Sequence, residues 1–140
     1  MQNKEEYIRK ILDEIFDKCN ELSSQREKLF NFIKLTINGD SPTDYLIINA
    51  NLSNDEEGIV IYILTNVRLI KMDIGIKSAI QSSSFILDSI VNIERKLLDA
   101  DRMQVRILFP NDAFGLRYPI SDIKASDFFQ SLDQARVRKD

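Results

Sequence analysis

The 140-residue chain contains no histidine and no tryptophan, and it has one cysteine, three prolines and four glycines. Without histidine, the commonest general base near neutral pH is missing, and Ser-His-Asp and Cys-His sites are excluded. A zinc site would have to be built almost wholly from carboxylates, which zinc disfavours. With so few glycines there is no Gly-rich phosphate loop. A lone cysteine, Cys19, cannot form an intrachain disulfide, which fits a reducing compartment. No apolar run approaches the ~20 residues a bilayer span requires. No signal-peptide pattern follows Met1-Gln2-Asn3-Lys4-Glu5-Glu6, so a cytoplasmic location is expected. The formal charge of −3 argues against nucleic acid as a partner, because a basic surface normally supplies most of that affinity. These absences leave no catalytic residue, no metal ligand and no cofactor site to nominate, and an enzyme is not expected.

What is present is the composition of an ordinary globular domain, 44% apolar and 29% charged, in a length that suits one domain over residues 1–140. Residues 4–37 read as a helical segment. Ile8, Ile11, Leu12, Ile15, Cys19 and Leu22 lie on one helix face. Ser24-Gln25-Arg26-Glu27 has the form of a capping box, so the segment is one bent helix or two short ones. Ile8, Leu12, Ile15, Cys19, Leu22, Arg26, Leu29 and Ile33 step by four and three, a heptad seam broken by one arginine. Ile8, Leu12, Ile15, Leu22 and Leu29 are therefore the candidates for a self-association interface. Ile11 and Phe16 widen the stripe, which suits packing on the chain's own remaining residues better than a narrow two-helix seam.

Asn38-Gly39-Asp40-Ser41-Pro42 breaks the helical pattern, and beyond it the period changes to two. Leu46 to Leu52 alternate as a half-buried strand. Ile59 to Leu64 form a continuous apolar run, a strand covered on both faces. Thr65-Asn66 is a tight turn, and Val67 to Ile74 form the returning strand. Residues 75–84 read as a region containing a loop, and Phe85-Ile86-Leu87 as a short strand. Residues 89–98 fit strand or helix. Met103 to Phe109 and Phe114 to Ile120 alternate around Pro110-Asn111-Asp112 and form a hairpin. Ser121 or Asp122 caps a last helix with Ala125, Phe128, Phe129, Leu132 and Ala135 on its apolar face.

Ile63-Leu64-Thr65-Asn66-Val67-Arg68-Leu69-Ile70 resembles a segment spanning the second and third strands of bacterial pleckstrin-homology-like and GRAM-type domains. Phe85 to Glu94 is similar to the segment that follows in that family, and Asp127-Phe128-Phe129 with Leu132 is similar to the start of its terminal helix. The resemblance covers residues 44–137. It implies an α+β fold, an antiparallel β-barrel of about seven strands closed by a C-terminal helix, and it favours strand at 90–98. Residues 4–37 are an N-terminal extension outside the family core. Arg68 matches the family arginine and is expected to bond carbonyls or a carboxylate at the barrel end.

The resemblance implies a binding module. Protein partners are expected, or a second copy in a homodimer, through the helical segment, an exposed strand edge or a groove beside the terminal helix. A second reading is a peripheral membrane or lipid-binding module, with Lys71, Lys77, Arg95 and Lys96 as its basic patch. Against it, the loop where such barrels hold acidic lipid heads reads Asp55-Glu56-Glu57 here, and carboxylates repel phosphate. A third reading, a small acidic secretion-chaperone-like dimer, requires residues 89–100 to be helical.

Overall fold

In the computed structural model, which describes residues 3–49, 58–75, 80–99 and 101–137, the helical segment is a hairpin. Helix α1 runs Lys4–Lys18. The Asn3 side chain caps it, accepting a bond from the Glu6 backbone N–H at 2.8 Å, and Glu5 and Glu6 sit in the first turn where the helix dipole favours carboxylates. A 3-10 turn, Asn20–Gln25, follows, and then α2, Arg26–Ile37. The two-helix alternative is thus the observed one. The capping box does not form: Ser24 lies inside the 3-10 turn and no side chain caps α2. Fully burying Leu22 holds the chain in the tight turn instead. Glu5 meets Lys34 at 2.9 Å and Asp13 meets Arg26 at 3.0 Å, so α1 and α2 run antiparallel. These pairs are about half exposed and fix the register more than they stabilise it.

Seven strands follow: β1 Pro42–Asn49, β2 Ile59–Thr65, β3 Arg68–Ile74, β4 Ile80–Ile86, β5 Asn92–Asp99, β6 Arg102–Phe109 and β7 Asp112–Pro119. They form two antiparallel sheets, β1-β2-β3-β4 and β5-β6-β7. Strand β1 begins four residues earlier than the alternation at Leu46 suggests, and Leu52 lies outside the described residues. Residues 92–99 are strand, as the resemblance implies, which removes the helix that a secretion-chaperone-like architecture needs there. Strand β4 is the main departure. Its serines have little strand propensity, yet it pairs with β3 from Ile74–Ile80 to Arg68–Ile86. A 3-10 turn, Leu87–Ser89, links it to β5. Helix α3, Ile123–Val137, is capped by Asp122, whose carboxylate accepts from the Ala125 N–H at 3.1 Å.

The alternation of side chains along β2 divides the protein into two cores. Val60, Tyr62 and Leu64 point into the barrel and join Leu46, Ile48, Leu69, Val105, Ile107, Leu116 and Tyr118, with Phe128, Phe129 and Leu132 of α3 closing one end. Ile59, Ile61 and Ile63 point outward and meet the helical hairpin, together with Tyr45, Ile47, Ile70, Met72 and Ile74. That is why β2 is buried along its whole length. Ile8, Leu12, Ile15, Leu22 and Leu29, nominated for an interface, are each at most 1% exposed in this second core. The heptad seam is folded back at the 3-10 turn and packed on the chain's own sheet.

The Thr-Asn-x-Arg motif joins the two cores. Thr65 Oγ1 accepts from the Arg68 N–H at 2.9 Å and lies 3.1 Å from Asp40 Oδ2. Asn66 exchanges two 3.0 Å bonds with Ser41, one through its backbone N–H and one through its side-chain oxygen. Arg68 donates from Nε to Asp40 at 2.6 Å, and from Nη2 to the carbonyls of Thr36 at 3.0 Å and Ile37 at 3.3 Å. The arginine thus satisfies carbonyls at the end of α2 that no further turn can reach, and it anchors the helical hairpin to the barrel.

Candidate functional site

Among the described residues no group of histidine, cysteine or carboxylate side chains is arranged to hold a metal ion. Cys19 is half-buried beside the hairpin core, not fully buried as its place on the apolar face suggests. A second polar cluster lies where α1, β1 and α3 meet. The Tyr45 hydroxyl donates to Glu14, Lys124 donates to the other Glu14 oxygen at 2.6 Å, and the Lys124 ammonium sits 4.2 Å from the centre of the Tyr45 ring. Tyr7 packs edge-on against Tyr45, with ring centres 5.6 Å apart, and its buried hydroxyl has no hydrogen-bond partner among the described residues. Burial works against the Glu14 carboxylate, but the bonds from Lys124 and Tyr45 outweigh it and hold its pKa below the ordinary value. Burial, reinforced by nearby carboxylates, pushes both tyrosines well above their ordinary pKa of 10.0. The cluster is a staple between three elements.

This staple has a pH signature. The folded state favours neutral Tyr7 and Tyr45, so their contribution is complete below pH 10.0 and is lost as the pH rises through their elevated folded values. Tyr7 and Tyr45 should resist ionisation in an ultraviolet titration until the protein unfolds, and urea midpoints should fall steadily above that pH. Replacing Tyr7 and Tyr45 together by phenylalanine should flatten the alkaline decline.

The three described lipid-patch residues, Lys71, Arg95 and Lys96, are not brought together. Lys71 points into the barrel mouth, 3.6 Å from Asp73 and 5.7 Å from the Phe114 ring centre, with its side chain 17% exposed. Arg95 reaches α3, where it pairs with Asp133 and donates to the Phe129 carbonyl at 3.4 Å. Lys96, its neighbour on β5, is exposed and by strand alternation faces the other side of the sheet. Lys77 lies outside the described residues, as do Asp55, Glu56 and Glu57.

Among the described residues, the two open sheets leave four edge strands: β1, β4, β5 and β7. The first is flanked by α3 and by the tyrosine staple. At β5, Arg95 and Arg136 reach across, Arg136 donating to the Val91 carbonyl at 2.9 Å, so the groove beside the terminal helix is already spanned. Strand β7 carries Asp112, Arg117 and Pro119, residue types that discourage strand addition.

Strand β4 has none of these protections. Ile80-Gln81-Ser82-Ser83-Ser84-Phe85-Ile86 carries no charge and no proline over seven residues. Its backbone pairs with β3 on one side, and no backbone bond forms on the other among the described residues. Ser82 and Ser84 are exposed, and Ile86 is 62% exposed. On the barrel side, Phe85 stacks on Phe109 at 4.5 Å and lies 5.1 Å from Phe114, a half-buried aromatic cluster beside the edge. Sequence reading missed this edge because a serine run has no strand periodicity. The only signal was the equal parity of Ile80 and Ile86.

The architecture can be set beside solved structures. A DUF1696 family protein with a pleckstrin-homology domain from Shewanella loihica PV-4 matches with a TM-score of 0.50 at 13% identity, over 76% of this chain and 96% of that one. The pleckstrin homology domain from Shewanella amazonensis SB2B matches at 0.51 and 10%, over 75% and 96%. The fold is pleckstrin-homology-like. The C-terminal domain of an unknown protein from Leishmania infantum has a similar fold, with a TM-score of 0.51 and 15% identity over 76% and 95%. No family model matches the sequence, and no curated protein matches it. The likeness spans nearly all of each neighbour but three-quarters of this chain, and identities this low establish the pleckstrin-homology-like fold alone. No helix among the described residues is long and apolar enough to cross a membrane.

Proposed function

We propose that this pleckstrin-homology-like barrel is a non-enzymatic protein-binding module that takes an extended segment of a partner onto β4 as a fifth strand. The observation that carries the reading is the unprotected edge of β4, uncharged and seven residues long. Backbone hydrogen bonds would supply affinity, and alternate side chains of the added strand would reach the Phe85, Phe109 and Phe114 cluster, which supplies selectivity. The lack of histidine and the likeness to structures described as pleckstrin-homology domains support binding over catalysis. The helical hairpin serves this module as a cover for the outer sheet face, because Ile8, Ile11, Leu12, Ile15, Leu22, Leu29, Ile33 and Ile37 are buried against it within the chain.

Peptides selected from a displayed random library against the full chain should protect the amides of residues 80–86 from hydrogen exchange. Replacing Ser82 and Ser84 together by lysine should weaken their binding at least about tenfold, since charge on an edge strand opposes pairing; because Ser84 Oγ also accepts from Arg68 Nη1 at 3.4 Å, circular dichroism checks that the variant stays folded. Selected peptides that leave β4 amides unprotected would end this reading.

A further inference from the structure

The sequence of β4 is close to a palindrome centred on Ser83. Reading outward, Ser82 answers Ser84, Gln81 answers Phe85, and Ile80 answers Ile86. An antiparallel strand pair has a two-fold axis, so an edge of this kind is complementary to itself. We infer that a second copy of this chain is the strand β4 accepts, the two β4 strands pairing antiparallel about Ser83. The inference rests on the strand-addition reading and names its partner.

The register follows from side-chain parity. Ile80, Ser82 and Ser84 pair with Ile74, Met72 and Ile70 of β3, which belong to the core under the helical hairpin. Residues 80, 82, 84 and 86 therefore share the hairpin side of the sheet. Pairing about Ser83 engages all seven residues and sets Ile86, 62% exposed in the single chain, opposite Ile80 of the second copy. Ile80 is half-buried at the margin of the hairpin core, so each two-fold-related Ile–Ile pair would extend that core across the axis. A shift of one residue would put the second copy's hairpin on the opposite face of the joint sheet and separate the isoleucines. No charged residue lies on β4, so no like charges oppose each other. The result would be a continuous eight-stranded sheet with both hairpins on one side.

Sedimentation of the full chain over a concentration series tests this. A species of twice the 16.2 kDa chain mass is expected, with β4 amides gaining exchange protection as concentration rises. Ser82→Lys with Ser84→Lys places lysine opposite lysine on both sides of the axis and should give monomer, as should Ser82→Glu with Ser84→Glu. Mixing the two variants should restore a dimer, because lysine then faces glutamate at each position. Circular dichroism establishes that both variants are folded, and the protection of wild-type β4 amides reads the same contact without any substitution. A wild-type dimer whose β4 amides stay unprotected, or that survives in both variants, overturns the inference. A wild-type monomer whose β4 still captures library peptides overturns it and leaves the proposed function standing. A monomer that captures none removes both.

Discussion

A chain lacking residues 1–38 is expected not to yield a soluble folded barrel, although those residues lie outside the part that resembles the pleckstrin-homology-like family. The hairpin covers Tyr45, Ile47, Ile59, Ile61, Ile63, Ile70, Met72 and Ile74 on the outer face of β1, β2 and β3. Fully burying one such side chain is worth about 1.5–3 kcal/mol, while a whole domain has a net stability of roughly 5–15 kcal/mol. Exposing eight of them at once exceeds what the remaining structure can offset. It also creates a continuous apolar sheet face of the kind that aggregates. The truncated chain should partition into the insoluble fraction, and any soluble remainder should bind a hydrophobic dye and melt without cooperativity. A soluble truncated barrel with a cooperative melt would show that the hairpin is an appendage and not half of the hydrophobic structure.

The second large effect is expected at Arg68. Arg68→Ala removes the 2.6 Å bond to Asp40 and the two carbonyl bonds at the end of α2, leaving a carboxylate only 17% exposed without its cation. Breaking a fully buried pair costs ~3–5 kcal/mol. Partial exposure of this one reduces the expected loss to about 2–3 kcal/mol, read as a lower urea midpoint with an unchanged slope. Arg68→Lys should recover less than half, because one ammonium cannot point at Asp40, Thr36 and Ile37 along the three directions of a guanidinium. A double-mutant cycle with Asp40→Ala should return a coupling of about 1–3 kcal/mol. A loss below about 0.5 kcal/mol for Arg68→Ala would assign the junction to apolar packing alone.

Both effects arise from features of different legibility. The apolar run Ile59 to Leu64 announces a strand covered on both sides, and the stripe through Ile8, Leu12, Ile15 and Leu22 announces a helix face that must be covered. Neither says that each covers the other. A heptad spacing is the same pattern whether the second surface is another helix, another copy or the chain's own sheet. The choice was made by the 3-10 turn at Asn20–Gln25, which folds the seam into a hairpin; the Ser24 to Glu27 pattern signals a break there but not the direction the chain takes beyond it. The serine run failed for the opposite reason. Its residues favour neither strand nor helix, and β4 exists because β3 offers seven backbone partners.

The resemblance implied the class of the fold and the strand within 90–98; from local pattern alone follow the strong strands β2, β3, β6 and β7, the face of α3, and the exclusion of histidine chemistry. These depend on local periodicity and residue type, which short windows carry. Tertiary structure decided what the helical segment packs against, what Arg68 holds, that Lys71, Arg95 and Lys96 point in different directions, and which edge is open. Those depend on contacts between residues tens of positions apart, such as Arg68 with Asp40 and Arg95 with Asp133, and they exist only once both sheets and both helical layers are in place.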